Sequence, residues 1–181
     1  MMSRRFTLLS QDKSIFGKLT LIMKATADQK LSNQESEDTK VSSRNHSKLQ
    51  SQLAFLLRLS YRTQYSVLTN LDLSFANGKI SPDLCIFPKQ TADWLNDEPI
   101  VHDVPLTIIE ILFPDQSLNS LLERIYKKHF PAGVKTVWLI IPALQIVSIL
   151  LPNRKQINFT EGTITDPETG IQLQLAEIFE G

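Results

Sequence analysis

A single glutamate, Glu110, interrupts an apolar run that Pro105 and Pro114 bound. The run is short and rich in β-branched residues, which predicts a buried strand. Burying a carboxylate without a partner costs several kcal/mol, so buried carboxylates usually form ion pairs or coordinate metals. Glu110 therefore indicates a metal-binding or proton-handling role. The alternatives are a strand end open to water, or a structural ion pair with a nearby Lys or Arg.

A second carboxylate, Asp83, follows Pro82 at the start of the preceding long predicted strand. If the two strands are neighbours in a suitable register, Asp83 and Glu110 meet on one face of the sheet. Paired carboxylate oxygens suit Mg²⁺ or Mn²⁺, which prefer hard oxygen ligands and keep several waters. Such an ion polarises a phosphoryl oxygen and activates water, which is the chemistry of phosphodiester hydrolysis.

The charged residues are unevenly distributed although the formal net charge is zero. Acidic residues are absent between Asp38 and Asp72 and between Glu123 and Glu161, whereas both segments carry several Lys and Arg. An acidic centre bracketed by basic segments suits carboxylates that hold a cation beside bases that hold a polyanion. Chance clustering of surface charge would give the same pattern.

The histidines and the cysteine predict no zinc site, because His102 and His129 have no metal-ligand spacing with Cys85. A single cysteine excludes an intrachain disulfide, which fits a reducing cytoplasm. No apolar run reaches the roughly 20 residues that a membrane helix needs. Composition therefore favours a cytoplasmic protein without a membrane span.

The elements that must position Asp83 and Glu110 indicate an α/β (α+β) domain with a central mixed β-sheet flanked by helices. Helical spacing of apolar residues predicts an amphipathic helix from Asn45 to about Arg62. Alternation predicts a strand over 65–75, a hairpin at Asn77–Gly78 and a return strand over 80–87.

A second helix is predicted after the Glu110 strand. Ser117 or Ser120 can cap its start, and Pro131 and Gly133 are predicted to close it. The remaining predicted elements are strands over 136–141, 145–151 and 156–159, a turn over 166–170 and a last strand over 171–175. Trp138 is expected in the core.

Residues 1–43 are predicted to form a flexible N-terminal extension, and residues 44–181 a single domain that can bury a core. The first 24 residues are basic, and their short apolar pieces lack the continuous core of a signal peptide. An upstream start codon, with Met23 as the true beginning, is the alternative explanation for residues 1–22.

The order of these elements resembles the restriction-endonuclease-like PD-(D/E)XK nuclease superfamily. Within it the chain is identified as a member of the Uma-two family of putative restriction endonucleases. The matching stretches are Ser81–Phe87, Ile109–Pro114 and Ala132–Ile140, together with Asn45–His46 before the first helix. The resemblance covers roughly residues 46–179. It implies a restriction-endonuclease-like core that cleaves DNA with Mg²⁺ or Mn²⁺.

The resemblance also implies roles for individual residues. Asp83 and Glu110 would be the catalytic metal ligands, and the backbone carbonyl of Ile111 could supply another oxygen. His46 matches the family's first-helix histidine and would be an accessory residue. Its alternative is a helix-start residue exposed to water.

Several positions depart from the family's pattern. Leu112 stands where the wider superfamily has a catalytic lysine, and Ile125 stands where relatives often carry a lysine on the helix. Phe113 replaces a frequent Ser, and His129 replaces a frequent Tyr. A helix cation would then stabilise the developing phosphorane charge. The candidates are Arg124, Lys127 and Lys128, although at least two of these could instead form the solvated face of the helix.

Three functions are compatible with the sequence. The first is a metal-dependent endonuclease acting on DNA. The second is a catalytically impaired relative on the same fold, which binds nucleic acid or self-assembles. The third is a structural interaction protein whose C-terminal apolar strands form a homodimer interface, and it predicts no DNA binding.

Overall fold

A computed structural model describes residues 43–180 of the protein. The predicted N-terminal extension, apart from Ser43, lies outside the described residues. The helices over 43–180 are too short or too polar to cross a bilayer. In chain order the elements are α1 (Arg44–Tyr61), β1 (Tyr65–Thr69), β2 (Leu73–Phe75), β3 (Gly78–Ile80), β4 (Leu84–Pro88), β5 (Thr107–Ile111), α2 (Leu118–Arg124), a π-helical segment (Ile125–His129), α3 (Phe130–Ala132), β6 (Thr136–Ile141), a 3₁₀ turn (Pro142–Leu144), β7 (Ile146–Leu150), β8 (Gln156–Phe159), β9 (Thr163–Thr165), β10 (Gln172–Gln174) and α4 (Leu175–Phe179).

Six of the strands form one mixed sheet in the order β1–β4–β5–β6–β7–β8. Strands β5 and β6 are parallel, and the other neighbouring pairs are antiparallel. A parallel pair needs a crossover connection, which α2, the π-helical segment and α3 supply. Two smaller antiparallel ladders pair β2 with β3 and β9 with β10. The predicted α/β class with a central mixed sheet is confirmed.

The apolar core lies on both faces of this sheet. On one face, Leu53 of α1 joins a cluster with Ile109. On the other, Leu121 and Ile125 of the crossover join a cluster with Ile108. Because strand side chains alternate between faces, Glu110 lies on the face that the crossover helix covers. Burial on both faces also explains why β4, β5 and β6 are nearly continuous apolar runs.

Helix α1 begins one residue earlier than its predicted start. Ser43 is its N-cap, and the Ser43 side chain accepts a hydrogen bond from the backbone N–H of His46 at 3.3 Å. Leu49, Leu53 and Leu57 are buried at a spacing of four residues, as the helical periodicity predicted. The cap fixes the backbone of the first turn of α1, and therefore the direction in which the His46 side chain points.

The single strand predicted over 65–75 is wrong, because the chain forms two strands there. Asn70, with a φ of 51°, breaks the strand. Strand β1 pairs with β4 in the main sheet, whereas β2 and β3 form a separate hairpin that turns between Phe75 and Gly78. The Asn70 N–H donates to the carbonyl of Asp83 at 3.1 Å. The break therefore helps to hold Asp83 at the start of β4.

The crossover helix also differs from its prediction. Ser117 is the N-cap, and its side chain accepts a hydrogen bond from the backbone N–H of Ser120, so Ser120 lies inside the helix. Pro131 does not end the helix, which continues to Gly133, where a φ of 110° stops it. Just before Pro131 the helix widens from α to π geometry. This widening sets which side chains face the sheet.

Candidate active site

Asp83 and Glu110 lie at the same end of the ladder between β4 and β5. The last pair of this ladder is Leu84 with Ile109, and Asp83 and Glu110 are the next residues along the chain on either side. Both side chains are buried, with exposed fractions of 0% for Asp83 and 2% for Glu110. Two buried carboxylates therefore lie at one end of a pair of neighbouring strands.

The Asp83 carboxylate is held by groups from two directions. Its Oδ2 accepts a hydrogen bond from the backbone N–H of Ile111 at 2.7 Å. Its Oδ1 lies 3.1 Å from His46 Nε2. The carbonyl of Asp83 also accepts a hydrogen bond from the Gln50 side chain at 2.8 Å. The position of Asp83 is therefore fixed through both its backbone and its side chain.

His46 is buried, with 3% of its surface exposed, so the interpretation of a histidine exposed to water is wrong. Its ring stacks on Phe113, with centroids 4.1 Å apart and planes 13° apart. This stack holds the imidazole against Asp83. Phe113 stands at the position of the family's frequent Ser. It packs against the His46 ring and does not carry the hydroxyl group that a Ser would supply at this position.

The Glu110 carboxylate is contacted by two residues of the crossover helix. Its Oε1 lies 2.8 Å from His129 Nε2, and its Oε2 lies 3.4 Å from Arg124 Nη2. The ion pair with a nearby cation, one of the alternatives for Glu110, is therefore present.

Arg124 is the one candidate cation that reaches a carboxylate of the site. Lys127 is exposed and forms an ion pair with Glu123, which lowers the pKa of the Glu123 carboxyl. Within residues 43–180, the side chains of Lys127 and Lys128 contact neither Asp83 nor Glu110. The solvated-face interpretation therefore fits both lysines.

His129 is a site residue that sequence reasoning missed. It is completely buried and contacts Glu110, although its spacing matches no metal-binding motif. Its contact depends on the π-helical segment, because regular helical spacing would turn His129 away from Arg124. The sequence offered two signals, the proline at position 131 and the place of His129 at the position of the family's frequent Tyr.

The donor set of the site fits Mg²⁺ or Mn²⁺. Over residues 43–180, no group of three or more His, Cys, Asp or Glu side chains is arranged to hold a metal ion. Two buried carboxylates, without a third ligand side chain, suit an ion that keeps several waters and binds substrate phosphates. A closed zinc site would need four protein ligands. Asp83 and Glu110 therefore fit a hard divalent cation.

A solved structure from Anabaena variabilis ATCC 29413 shares this fold. That protein is described as a putative nuclease belonging to DUF820, and the two chains are 21% identical. The match has a TM-score of 0.63 and covers 76% of this chain and 81% of that chain. At this identity the likeness establishes the fold.

Similarity at the level of sequence extends over most of the chain. No curated protein sequence matches it. A family model described as Uma2, putative restriction endonuclease, matches residues 19–177. That range contains every residue of the site described above. The chain therefore belongs to the Uma2 family of putative restriction endonucleases.

Proposed function

We propose that this protein is a metal-dependent endonuclease that hydrolyses phosphodiester bonds of DNA. The observation that carries the proposal is the pair of buried carboxylates, Asp83 and Glu110, at the same end of the β4–β5 ladder. The family's description and the shared fold support it. DNA as the substrate, a cytoplasmic location and a homodimer stay predictions from the sequence.

Asp83 and Glu110 would hold Mg²⁺ or Mn²⁺, with the backbone carbonyl of Ile111 as a further oxygen ligand. When bound, the ion would polarise a phosphoryl oxygen and lower the pKa of a bound water. His46 and the Ile111 N–H contact different oxygens of the Asp83 carboxylate and so restrict its orientation. Preorganisation of this kind avoids reorienting the ligand during the reaction.

Arg124 would stabilise charge on the phosphoryl group. Its contact with Glu110 is long, at 3.4 Å, and its side chain is 26% exposed, so the guanidinium can also reach a phosphate. A guanidinium binds phosphate through two parallel N–H donors. Arg124 would thus supply the cation that Leu112 cannot. In hydrolysis, the water oxygen bonds to phosphorus while the ester oxygen leaves as an alcohol and takes a proton.

Replacing Arg124 with Ala is expected to lower kcat about 100-fold, because one preorganised donor to the developing charge is lost. Lys127→Ala is the matched control, because it removes a solvent-exposed cation from the same crossover helix. The kcat of this variant should stay within about twofold of wild type. Initial rates of plasmid cleavage at saturating Mg²⁺ would measure both. Equal losses in the two variants would contradict the role given to Arg124.

One observation favours the alternative function, a catalytically impaired nuclease-fold module. Both carboxylates already have protein partners, His46 and Ile111 for Asp83, and Arg124 and His129 for Glu110. Such partners could maintain the site without a metal ion. The module would bind nucleic acid, or another copy of itself, and cleave nothing.

Cleavage and binding assays on the full chain separate the two functions. The endonuclease should convert supercoiled plasmid to nicked and linear forms with Mg²⁺ or Mn²⁺, and EDTA should stop it. A binding module should instead shift labelled DNA without cutting it. Its log affinity should fall with log salt by about 0.9 per neutralised phosphate. An interaction protein should do neither.

A further inference from the structure

We propose that His129 is a positioning residue, which tethers one oxygen of Glu110 so that the other faces the bound cation. This inference rests on the proposed metal-dependent function. It assigns a role to a buried side chain whose residue type and spacing match no metal or catalytic motif.

The contact geometry singles out Oε1 as the tethered oxygen. His129 Nε2 lies 2.8 Å from Oε1, within hydrogen-bond range, whereas Arg124 lies 3.4 Å from Oε2. The His129 ring is completely buried. Within residues 43–180, its Nδ1 has no hydrogen-bond partner, so Glu110 accounts for the polar contact of the ring. With the hydrogen on Nε2, no buried donor is left unpaired.

The π-helical segment brings Arg124 and His129 to the same carboxylate. In an α-helix, residues five apart point about 140° away from each other. In π geometry each N–H bonds to the carbonyl five residues back, so residues five apart lie nearly above one another. The Phe130 N–H donates to the Ile125 carbonyl in this way. Without the widening, His129 could not face Glu110 alongside Arg124.

The sequence provides a physical cause for the widening. Pro131 has no N–H to donate, and in a regular helix its ring would clash with the carbonyl of Lys127. Asn77, at the tip of the β2–β3 hairpin, donates to the carbonyls of Lys127 and Lys128 at 3.3 Å and 2.8 Å. The carbonyls displaced from the α pattern are thus satisfied, and the π-helical segment is a built part of the fold.

A tethered Oε1 has a consequence for metal affinity. The contact of His129 with Oε1 restricts rotation of the Glu110 carboxylate, and so fixes the direction in which Oε2 points. Hydrogen-bond partners of metal ligands typically contribute about 10- to 100-fold to metal affinity. His129 should therefore affect Mn²⁺ binding even in the absence of DNA.

The test compares three replacements of His129 in the full chain, with Mn²⁺ alone as the probe. In His129→Gln the amide nitrogen takes nearly the place of Nε2 and can still donate to Oε1. In His129→Asn the same amide group falls short of Oε1, and His129→Leu removes the donor while filling the space. Free Mn²⁺ measured by electron paramagnetic resonance gives the Kd, and thermal unfolding reports whether each variant is folded.

We expect Asn and Leu to raise the Kd for Mn²⁺ at least about tenfold, and Gln to stay within about threefold of wild type. Equal affinities for the folded Gln and Asn variants would overturn the positioning role while leaving the metal site intact. If Leu fails to fold, the Gln and Asn pair still decides, because both carry an amide. Absence of Mn²⁺ binding in the wild type would overturn the proposed function as well.

Discussion

Glu110→Gln and Asp83→Asn should each reduce metal-stimulated DNA cleavage at least about 1000-fold, which corresponds to about 4 kcal/mol of transition-state stabilisation. Each amide keeps the size of the carboxylate but loses its negative charge. Asp83 and Glu110 are the two carboxylates that the described residues bring to the site, so a single replacement removes one of these two negative charges. Initial rates of supercoiled plasmid cleavage, titrated with Mg²⁺ and Mn²⁺, measure the loss.

Asp97→Asn provides the control for these two variants, because Asp97 is an exposed acid in the loop before β5. Its activity should equal that of the wild type. If Glu110→Gln kept more than about a tenth of the wild-type rate, Glu110 would not be a metal ligand, and its contacts with Arg124 and His129 would be structural. Loss of secondary structure in a variant would be detected by circular dichroism before the rates are compared.

Asp166→Ala should lower the free energy of unfolding by about 3 kcal/mol or more, because it leaves several buried donors without an acceptor. Asp166 is completely buried. Its Oδ2 accepts hydrogen bonds from Trp138 Nε1 and Thr136 Oγ1, both at 2.7 Å. Its Oδ1 accepts from the backbone N–H groups of Glu168 and Thr169 at 2.9 Å and 3.1 Å. Asp166 therefore joins the 166–170 turn to the sheet.

Urea unfolding followed by Trp fluorescence measures this effect, with Glu161→Ala as the matched control. Glu161 is exposed, so its replacement should change the free energy of unfolding by less than about 0.5 kcal/mol. Asp166 contacts Thr136, at the start of β6. Strands β5 and β6 are parallel, and Glu110 lies near the end of β5, so Asp166 and Glu110 are at opposite ends of this strand pair. The folded fraction of Asp166→Ala should therefore keep its Mn²⁺ affinity. A loss below about 1 kcal/mol would contradict the structural role of Asp166.

The parts of the fold that periodicity determines were predictable from the sequence. Apolar runs predicted the buried strands, and helical spacing of leucines predicted α1 to within one residue. Glu110 stood out because a carboxylate in such a run needs a partner. Strands β4 and β5 are neighbours, as the pairing of the two carboxylates requires, and Asp83 and Glu110 lie at the same end of their ladder.

Other parts depend on tertiary contacts that no local pattern records. Asn70 occupies a left-handed conformation inside an alternating pattern, which divides the predicted strand. Pro131 and Gly133 were predicted to close the crossover helix, and Gly133 does cap it, but the π geometry just before Pro131 was not predicted. That widening places His129 on Glu110. His46 reaches Asp83 because it stacks on Phe113, which is 67 positions further along the chain.

The most direct test of the proposed metal site is a crystal structure of the protein grown or soaked with Mn²⁺, with anomalous diffraction recorded at the manganese edge. An anomalous peak within about 2.3 Å of carboxylate oxygens from both Asp83 and Glu110 is the predicted result. Crystals of Glu110→Gln treated in the same way should lack that peak. A well-occupied Mn²⁺ elsewhere, with Glu110 still paired to Arg124 and His129, would contradict the proposal.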